Sequence, residues 1–203
     1  MAGIGAGSQI SLIYPSPRTA PVIAMQRFDV APWSTSLKVV SIVGTFVLLG
    51  VTYGLYRAVP HGTRVPFAET FGTVILAVPP VILVIAALYV VKGYTLDATS
   101  LGVQRLLWST RIPLAGLDRA WHDSSAMTRS LRVFGNGGLF SITGIFQNGR
   151  IGRYRAFVTD PRQAVVLRAP SRVVVLSPAD PRAFLGHVRT MFPGVAGAPP
   201  GAA

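Results

Sequence analysis

Two uncharged apolar runs constrain this chain more than any other feature. Val39 to Tyr56 holds 18 residues without a charge, bracketed by Lys38 and Arg57. Phe71 to Val91 holds 21 more and is closed by Lys92. At about 1.5 Å rise per residue, each run makes a helix of about 27–32 Å, which matches a hydrocarbon core of about 30 Å. Buried helices of soluble proteins seldom run this long without a polar face, and here two follow in tandem. The expectation is two transmembrane helices, about 38–57 and 71–91, so that 37–92 forms a hairpin anchor with a short external loop. The first run starts too late, and exceeds the usual apolar stretch of about 7–15 residues by too much, to read as a cleaved signal peptide.

Composition agrees. Of 203 residues, 50% are hydrophobic and 13% charged, against about 25% charged in an average protein. The absence of cysteine removes disulfides, a thiol nucleophile and thiolate metal sites from consideration. Nineteen Lys and Arg against seven Asp and Glu give a net charge of +12, and a chain both apolar and basic points to a membrane.

Flanking charges set the expected orientation. Arg18, Arg27 and Lys38 precede the first run, and Lys92, Arg105 and Arg111 follow the second. The loop between carries Arg57 and Arg64 against Glu69. The positive-inside bias therefore predicts a multi-pass protein of the cell (inner) membrane with both termini cytoplasmic. Residues 1–36, rich in Gly, Pro and Ser, read as a flexible arm, with Met25 an alternative start. Within the anchor, Gly50 and Gly54 form a Gly-x-x-x-Gly pair that suits close helix packing. Pro79 and Pro80 are expected to kink or locally unwind the second helix. No Asp, Glu, Lys, Arg or His lies within either run, so anchoring is favoured over an ion or proton path.

From Gly93 to Phe192 the pattern changes to a period of two. Thirteen arginines and no lysine stand against five aspartates there, a net charge of +8. Short strands are expected at Tyr94–Leu96, Leu101–Val103, Leu106–Trp108, Ile112–Leu114 and Ala120–His122. Arg132-Val133-Phe134 then runs into Gly135-Asn136-Gly137-Gly138, a hairpin signal. Further strands are read at Leu139–Phe146, Arg153–Val158, Ala164–Leu167 and Arg172–Leu176, with Gly144 and Gly152 as candidate bulges. Asp180 as N-cap and Pro181 at the first position predict a closing amphipathic helix with Phe184, Val188 and Phe192 on one face. Residues 193–203 read as a disordered tail.

In order and spacing these segments resemble the bacterial membrane-anchored pleckstrin-homology-like (PH-like) domain proteins. The resemblance is carried by the two-helix hairpin, Gly93-Tyr94-Thr95-Leu96, Arg111-Ile112-Pro113-Leu114, the stretch Arg132 to Phe140, and Leu176 to Leu185. It implies an α+β membrane protein: a transmembrane hairpin, then a seven-stranded bent antiparallel sheet or barrel over 93–192, plugged by a C-terminal helix. It implies a binding and assembly platform, with no enzymatic activity and no cofactor.

Catalytic and metal readings are weak on the residues themselves. The three histidines, His61, His122 and His187, lack zinc spacing. His122 and Asp123 are adjacent on a strand and so point to opposite faces, which makes a dyad awkward. The glycine-rich stretch at 135–138 is followed by strand-like alternation, whereas a phosphate loop needs a helix behind it. The arginines carry the remaining weight: Arg153 and Arg155 share one strand face, with Arg150 and Arg132 nearby, and guanidinium groups suit phosphate. Three readings follow. The domain associates with a protein partner or a second copy at the membrane; it docks on anionic lipid headgroups through these arginines; or the chain is an accessory subunit of a transport or enzyme complex. No recognition helix or aromatic platform suggests nucleic acid.

Overall fold

The computed structural model describes residues 25–58 and 66–199. The N-terminal 24 residues, with the question of a start at Met25, lie outside the described residues, as does His61 in the loop between the helices.

The chain enters through a short strand, β1 (Gln26–Asp29), and passes directly into helix α1 (Thr35–Ala58). Ser34 starts that helix by accepting the Leu37 N–H on Oγ at 3.3 Å, satisfying one of the amides that a helix N-terminus leaves free. Thr45 and Thr52 return their hydroxyls to the carbonyls of Ser41 and Leu48, so neither adds an unpaired polar group to the apolar surface. Helix α2 (Pro66–Leu88) opens on a proline at its first position, where a missing N–H costs nothing. It runs as an unbroken helix through Pro79 and Pro80, which corrects the expectation of unwinding there. Both helices are long and apolar enough to cross a membrane.

The β-domain follows at once. Strands β2 (Gly93–Leu96), β3 (Ser100–Gln104) and β4 (Ser109–Pro113) form an antiparallel sheet, and β1 adds to its edge through β2, in the order β1-β2-β3-β4. The second sheet contains β5 (Arg119–His122), β6 (Leu131–Gly137), β7 (Ile142–Asn148), β8 (Gly152–Val158), β9 (Val165–Ala169) and β10 (Arg172–Leu176). Its order is β5-β9-β10-β8-β7-β6, with β10 parallel to β8 and antiparallel to β9. Helix α3 (Pro181–Met191) closes the chain, N-capped by Asp180, whose carboxylate accepts the N–H of Arg182 and Ala183. Among the described residues, ten strands in two sheets thus replace the seven implied by resemblance, and these sheets do not join into a closed barrel. The architecture remains the expected PH-like one, a strongly bent β-domain plugged by a C-terminal helix.

The main core lies between the sheets and under α3. Tyr94, Leu96, Leu101 and Val103 meet Phe157, Leu167, Val174 and Leu176, with Phe184 and Val188 of α3 filling the end. A second cluster, Trp121, Phe146, Tyr154, Val166 and Val175, sits on the outer face of the larger sheet beneath Ala126 and Met127 of the β5–β6 loop.

Three sequence expectations shift. Part of the N-terminal arm is structural: Gln26–Asp29 pair with Gly93–Leu96, Phe28 packs edge-on to Phe184 at 4.9 Å, and Ala31 is fully buried. The described part of the tail packs on the domain, because Ala196 exchanges backbone hydrogen bonds with Asp118 and Ala120. Leu106–Trp108 is the turn between β3 and β4 rather than a strand, closed by the Arg105 N–H to the Trp108 carbonyl at 2.8 Å.

Candidate functional site

Strand direction divides the β-domain into two poles. β2 leaves α2 and β1 runs into α1, so the turns 105–108 and 138–141 and the segment 159–163 lie at the helix-proximal pole. The turns 97–99, 149–151 and 170–171 lie at the distal pole, one strand length away. That is about 20 Å for a seven-residue strand.

At the proximal pole the domain holds the helices directly. The Ser41 hydroxyl donates to the Gly138 carbonyl at 3.2 Å and accepts the Phe140 N–H at 2.9 Å. Leu139 reaches the backbone of Gly44, and Phe140 lies 6.2 Å from Trp33. On the second helix, Arg105 Nη1 donates to the Tyr89 carbonyl at 2.9 Å, and its guanidinium lies 4.7 Å from the Tyr89 ring and 5.9 Å from Trp108. Burial lowers the Arg105 pKa, with the nearby Arg155 adding to the effect. The aromatic faces and the helix-end carbonyl compensate by offering negative potential to the cation.

The hairpin glycines have a different use from the one the sequence suggested. Gly135 and Gly137 lie inside β6, and the turn comes three residues later, at 138–141. Asn136 Oδ1 accepts the N–H of Gly138 and of Leu139, which sets that turn. β7 follows, so no helix N-terminus stands behind the glycines. The bulge falls between Arg132 and Phe134, not at Gly144 or Gly152. Gly152 instead turns the chain into β8 at φ +77°.

The four arginines singled out from sequence do not form one cluster. Arg150 is paired with Asp123 at 3.3 Å and also donates to Ser125, fastening the β5–β6 loop over the second core. Arg132 folds along its own strand over Gly137. Arg153 and Arg155 do share a face of β8, opposite the buried Tyr154. Arg155 turns to the Phe157 ring, 5.4 Å away, beside Arg105. Arg153 instead lines a distal hollow of about 330 Å³ with Asp118, Arg168 and Arg172. Arg168 Nη2 donates to the Ile151 carbonyl at 3.1 Å, while its buried Nε has no partner among the described residues. Sequence reading missed Arg168 and Arg172 because the β9–β10 hairpin brings them to Arg153 from another part of the chain.

The remaining candidates have structural neighbours. Asp123 Oδ1 accepts from the backbone and hydroxyl of Ser125, and His122 Nε2 faces the Arg162 carbonyl at 3.1 Å, so the two point apart. His187 packs on Phe28. In α1, Gly50 and Gly54 are exposed and a Cβ at either would meet nothing within 4 Å. The buried stripe of α2 is Gly72, Pro79 and Ala86, at seven-residue spacing. Close helix approach therefore uses small residues on α2 and leaves the Gly50–Gly54 face open.

A bent β-domain with a helical plug thus follows two long apolar helices that the rest of the described chain leaves uncovered. Residues 92–191 match the family described as Bacterial PH domain, and the chain is a bacterial PH-like domain protein. No curated protein and no solved structure matches the chain. Domains of this kind are generally non-enzymatic modules for lipid or protein interaction. The matched segment leaves out β1, which completes the smaller sheet.

Proposed function

We propose that this protein is a membrane-anchored, non-enzymatic binding and assembly module. Its helices span the membrane, both termini are cytoplasmic, and the PH-like domain associates with a protein partner or a second copy at the inner face. The observation that carries this reading is the pairing of β1 with β2. The strand before α1 and the strand after α2 are neighbours in one sheet, so both ends of the hairpin return to the same side. The domain is thereby held rigidly at the root of the anchor, which suits presentation of a surface rather than reach on a linker. The free edge β6 adds a surface for association, with Leu131 and Phe134 each 76% exposed, and long apolar edges invite strand pairing. Crosslinking of the full chain in native membranes tests the reading. Discrete adducts with a partner or a second copy are expected, and monomer under every condition overturns it.

A second reading, capture of an anionic group, is supported by the convergence of Arg153, Arg168 and Arg172 on one hollow. In a hairpin that spans the bilayer, that hollow faces away from the anchoring leaflet. A phosphate-bearing soluble partner therefore suits it better than the headgroups beneath the domain. Titration of the full chain in zwitterionic nanodiscs with inorganic phosphate should show salt-sensitive binding that Arg153→Ala with Arg172→Ala abolishes. Equal binding by that double variant rejects this reading.

A further inference from the structure

We infer that the β3–β4 turn, Leu106-Leu107-Trp108, is a membrane-seated wedge that inserts into the interfacial region of the leaflet from which α2 emerges. The inference rests on the spanning reading proposed above.

The chemistry of the turn is its first support. The Arg105 N–H to Trp108 carbonyl bond leaves Leu106 and Leu107 as the two central residues of a tight hairpin. Those positions ordinarily carry Gly, Asn, Asp or Ser, which suit the backbone geometry and remain solvated. Here they carry two leucines, 45% and 73% exposed, followed by a Trp that is 40% exposed. The distal turns are built the usual way, from Asp97 and Thr99, from Asn148, Gly149 and Arg150, and from Pro170 and Ser171. The apolar tip is therefore specific to the pole that faces the helices.

Position is the second support. Trp108 meets Tyr89 edge-on at 5.3 Å, at the end of α2. Trp and Tyr concentrate where a spanning helix leaves the hydrocarbon. Arg105 lies just inside the turn and bonds the Tyr89 carbonyl, tying the turn to the end of α2. The second proximal tip extends the same surface. Gly138 and Phe140 bond Ser41, and Leu139 reaches Gly44, both of which lie within the uncharged run of α1. Part of the domain thus already stands alongside the apolar length of the anchor. The exposed leucines continue that surface instead of forming an isolated patch, and patches continuous with an apolar anchor mark membrane contact.

The chain has no cysteine, so single labels are available in the full-length protein. Leu107→Cys, Ser171→Cys at the distal pole and Val47→Cys on the exposed face of α1 are each labelled with an environment-sensitive dye. The variants are then reconstituted in vesicles containing anionic and zwitterionic lipids. Nitroxide lipids labelled either just below the headgroup or deep in the chain serve as quenchers. The dye at 107 should be quenched several-fold more strongly than that at 171, most by the shallow nitroxide, while the dye at 47 responds most to the deep one. Quenching at 107 no greater than at 171, with 47 still quenched, overturns the wedge and leaves the spanning anchor intact. Absence of quenching at 47 overturns the spanning reading and the wedge with it.

Discussion

The guanidinium of Arg105 caps the end of α2 by donating from Nη1 to the carbonyl oxygen of Tyr89 at 2.9 Å. One side chain thereby fixes the domain to the helical hairpin by a hydrogen bond, by stacking on Tyr89 and by charge against the helix C-terminus. Arg105→Met keeps the aliphatic stem and removes all three, with an expected loss of about 1–3 kcal/mol. Arg105→Lys should fall between, since an ammonium retains charge without the planar face or fork. Hydrogen exchange of the residue-105 and Tyr89 amides, which donate to the Trp108 and Ile85 carbonyls, reads this directly in nanodiscs. Exchange should speed about tenfold or more in the Met variant, while the distal strand ends remain at wild-type protection.

β1 belongs to the domain although α1 and α2 separate it from its partner in sequence. Phe28 and Val30 pack against the main core, and Ala31 binds the Ser177 carbonyl through its N–H and the Thr159 hydroxyl through its carbonyl. A fragment limited to 92–191 therefore exposes the edge of β2 and part of the core, and should aggregate or unfold readily. Joining residues 25–34 to 91–199 by a short Gly/Ser linker restores the strand without the helices. Asp29 and Gly93 are register partners, so the linker need not be long. This fusion should show a cooperative thermal transition that the shorter fragment lacks.

Tyr94 ties the two sheets together. Its hydroxyl donates to the Phe157 carbonyl at 2.6 Å and accepts the Ser177 N–H at 3.1 Å. Burial pushes its pKa up to about 12 from 10.0, outweighing the stabilising bonds from Ser177. Because the folded state holds this proton more tightly, the contribution is complete below pH 10 and is lost as pH rises from 10 to 12. The loss amounts to about 3 kcal/mol. Tyr94→Phe should cost about 1–3 kcal/mol at neutral pH, since the Ser177 N–H is left buried and unpaired. It should also remove that alkaline limb. Urea titrations at pH 8 and pH 11 on both proteins measure the difference.

Much of the fold could be read locally, because strand and helix signals are local. Arg172–Leu176 is a short run dominated by β-branched valine and is β10, and Asp180-Pro181 starts α3 where a cap and a first-turn proline should. Elements that depend on distant partners could not be read this way. Gln26–Asp29 has no strong strand pattern and becomes a strand only because the hairpin returns β2 beside it. Ala196 is ordered by a bridge to Arg119, 77 positions away by number. The turn at Leu106-Leu107 reads as strand because its residues are apolar, and the Arg105–Trp108 bond distinguishes the two. The same limit applies to the arginines. A spacing of two put Arg153 and Arg155 on one face, but Asp123 had already claimed Arg150, and the β9–β10 hairpin supplied Arg168 and Arg172 instead.

Gly144 offers a sharper test of how the proximal tip is held. It sits opposite Gly135 in the β6–β7 ladder, with φ +147° and +112° respectively. A Cβ at Gly144 would overlap the Phe134 carbonyl oxygen and crowd the Gly135 backbone, and neither obstacle is a flexible side chain. Both the positive φ and the close strand approach therefore demand glycine. Gly144→Ala should cost about 2–4 kcal/mol, combining backbone strain with forced separation of the strands. Gly149→Ala, in the next turn, meets open space and has no positive φ, so it should stay within about 0.5 kcal/mol of wild type. Among the described residues β6 pairs only with β7, and it leads directly into the tip that bonds Ser41, so the damage should not remain local. In Gly144→Ala the Phe140 amide, protected by Ser41 in the native protein, should exchange at close to the rate of an open turn. If Phe140 keeps its protection while the variant loses stability elsewhere, the tip is held by α1 alone and the ladder does not position it.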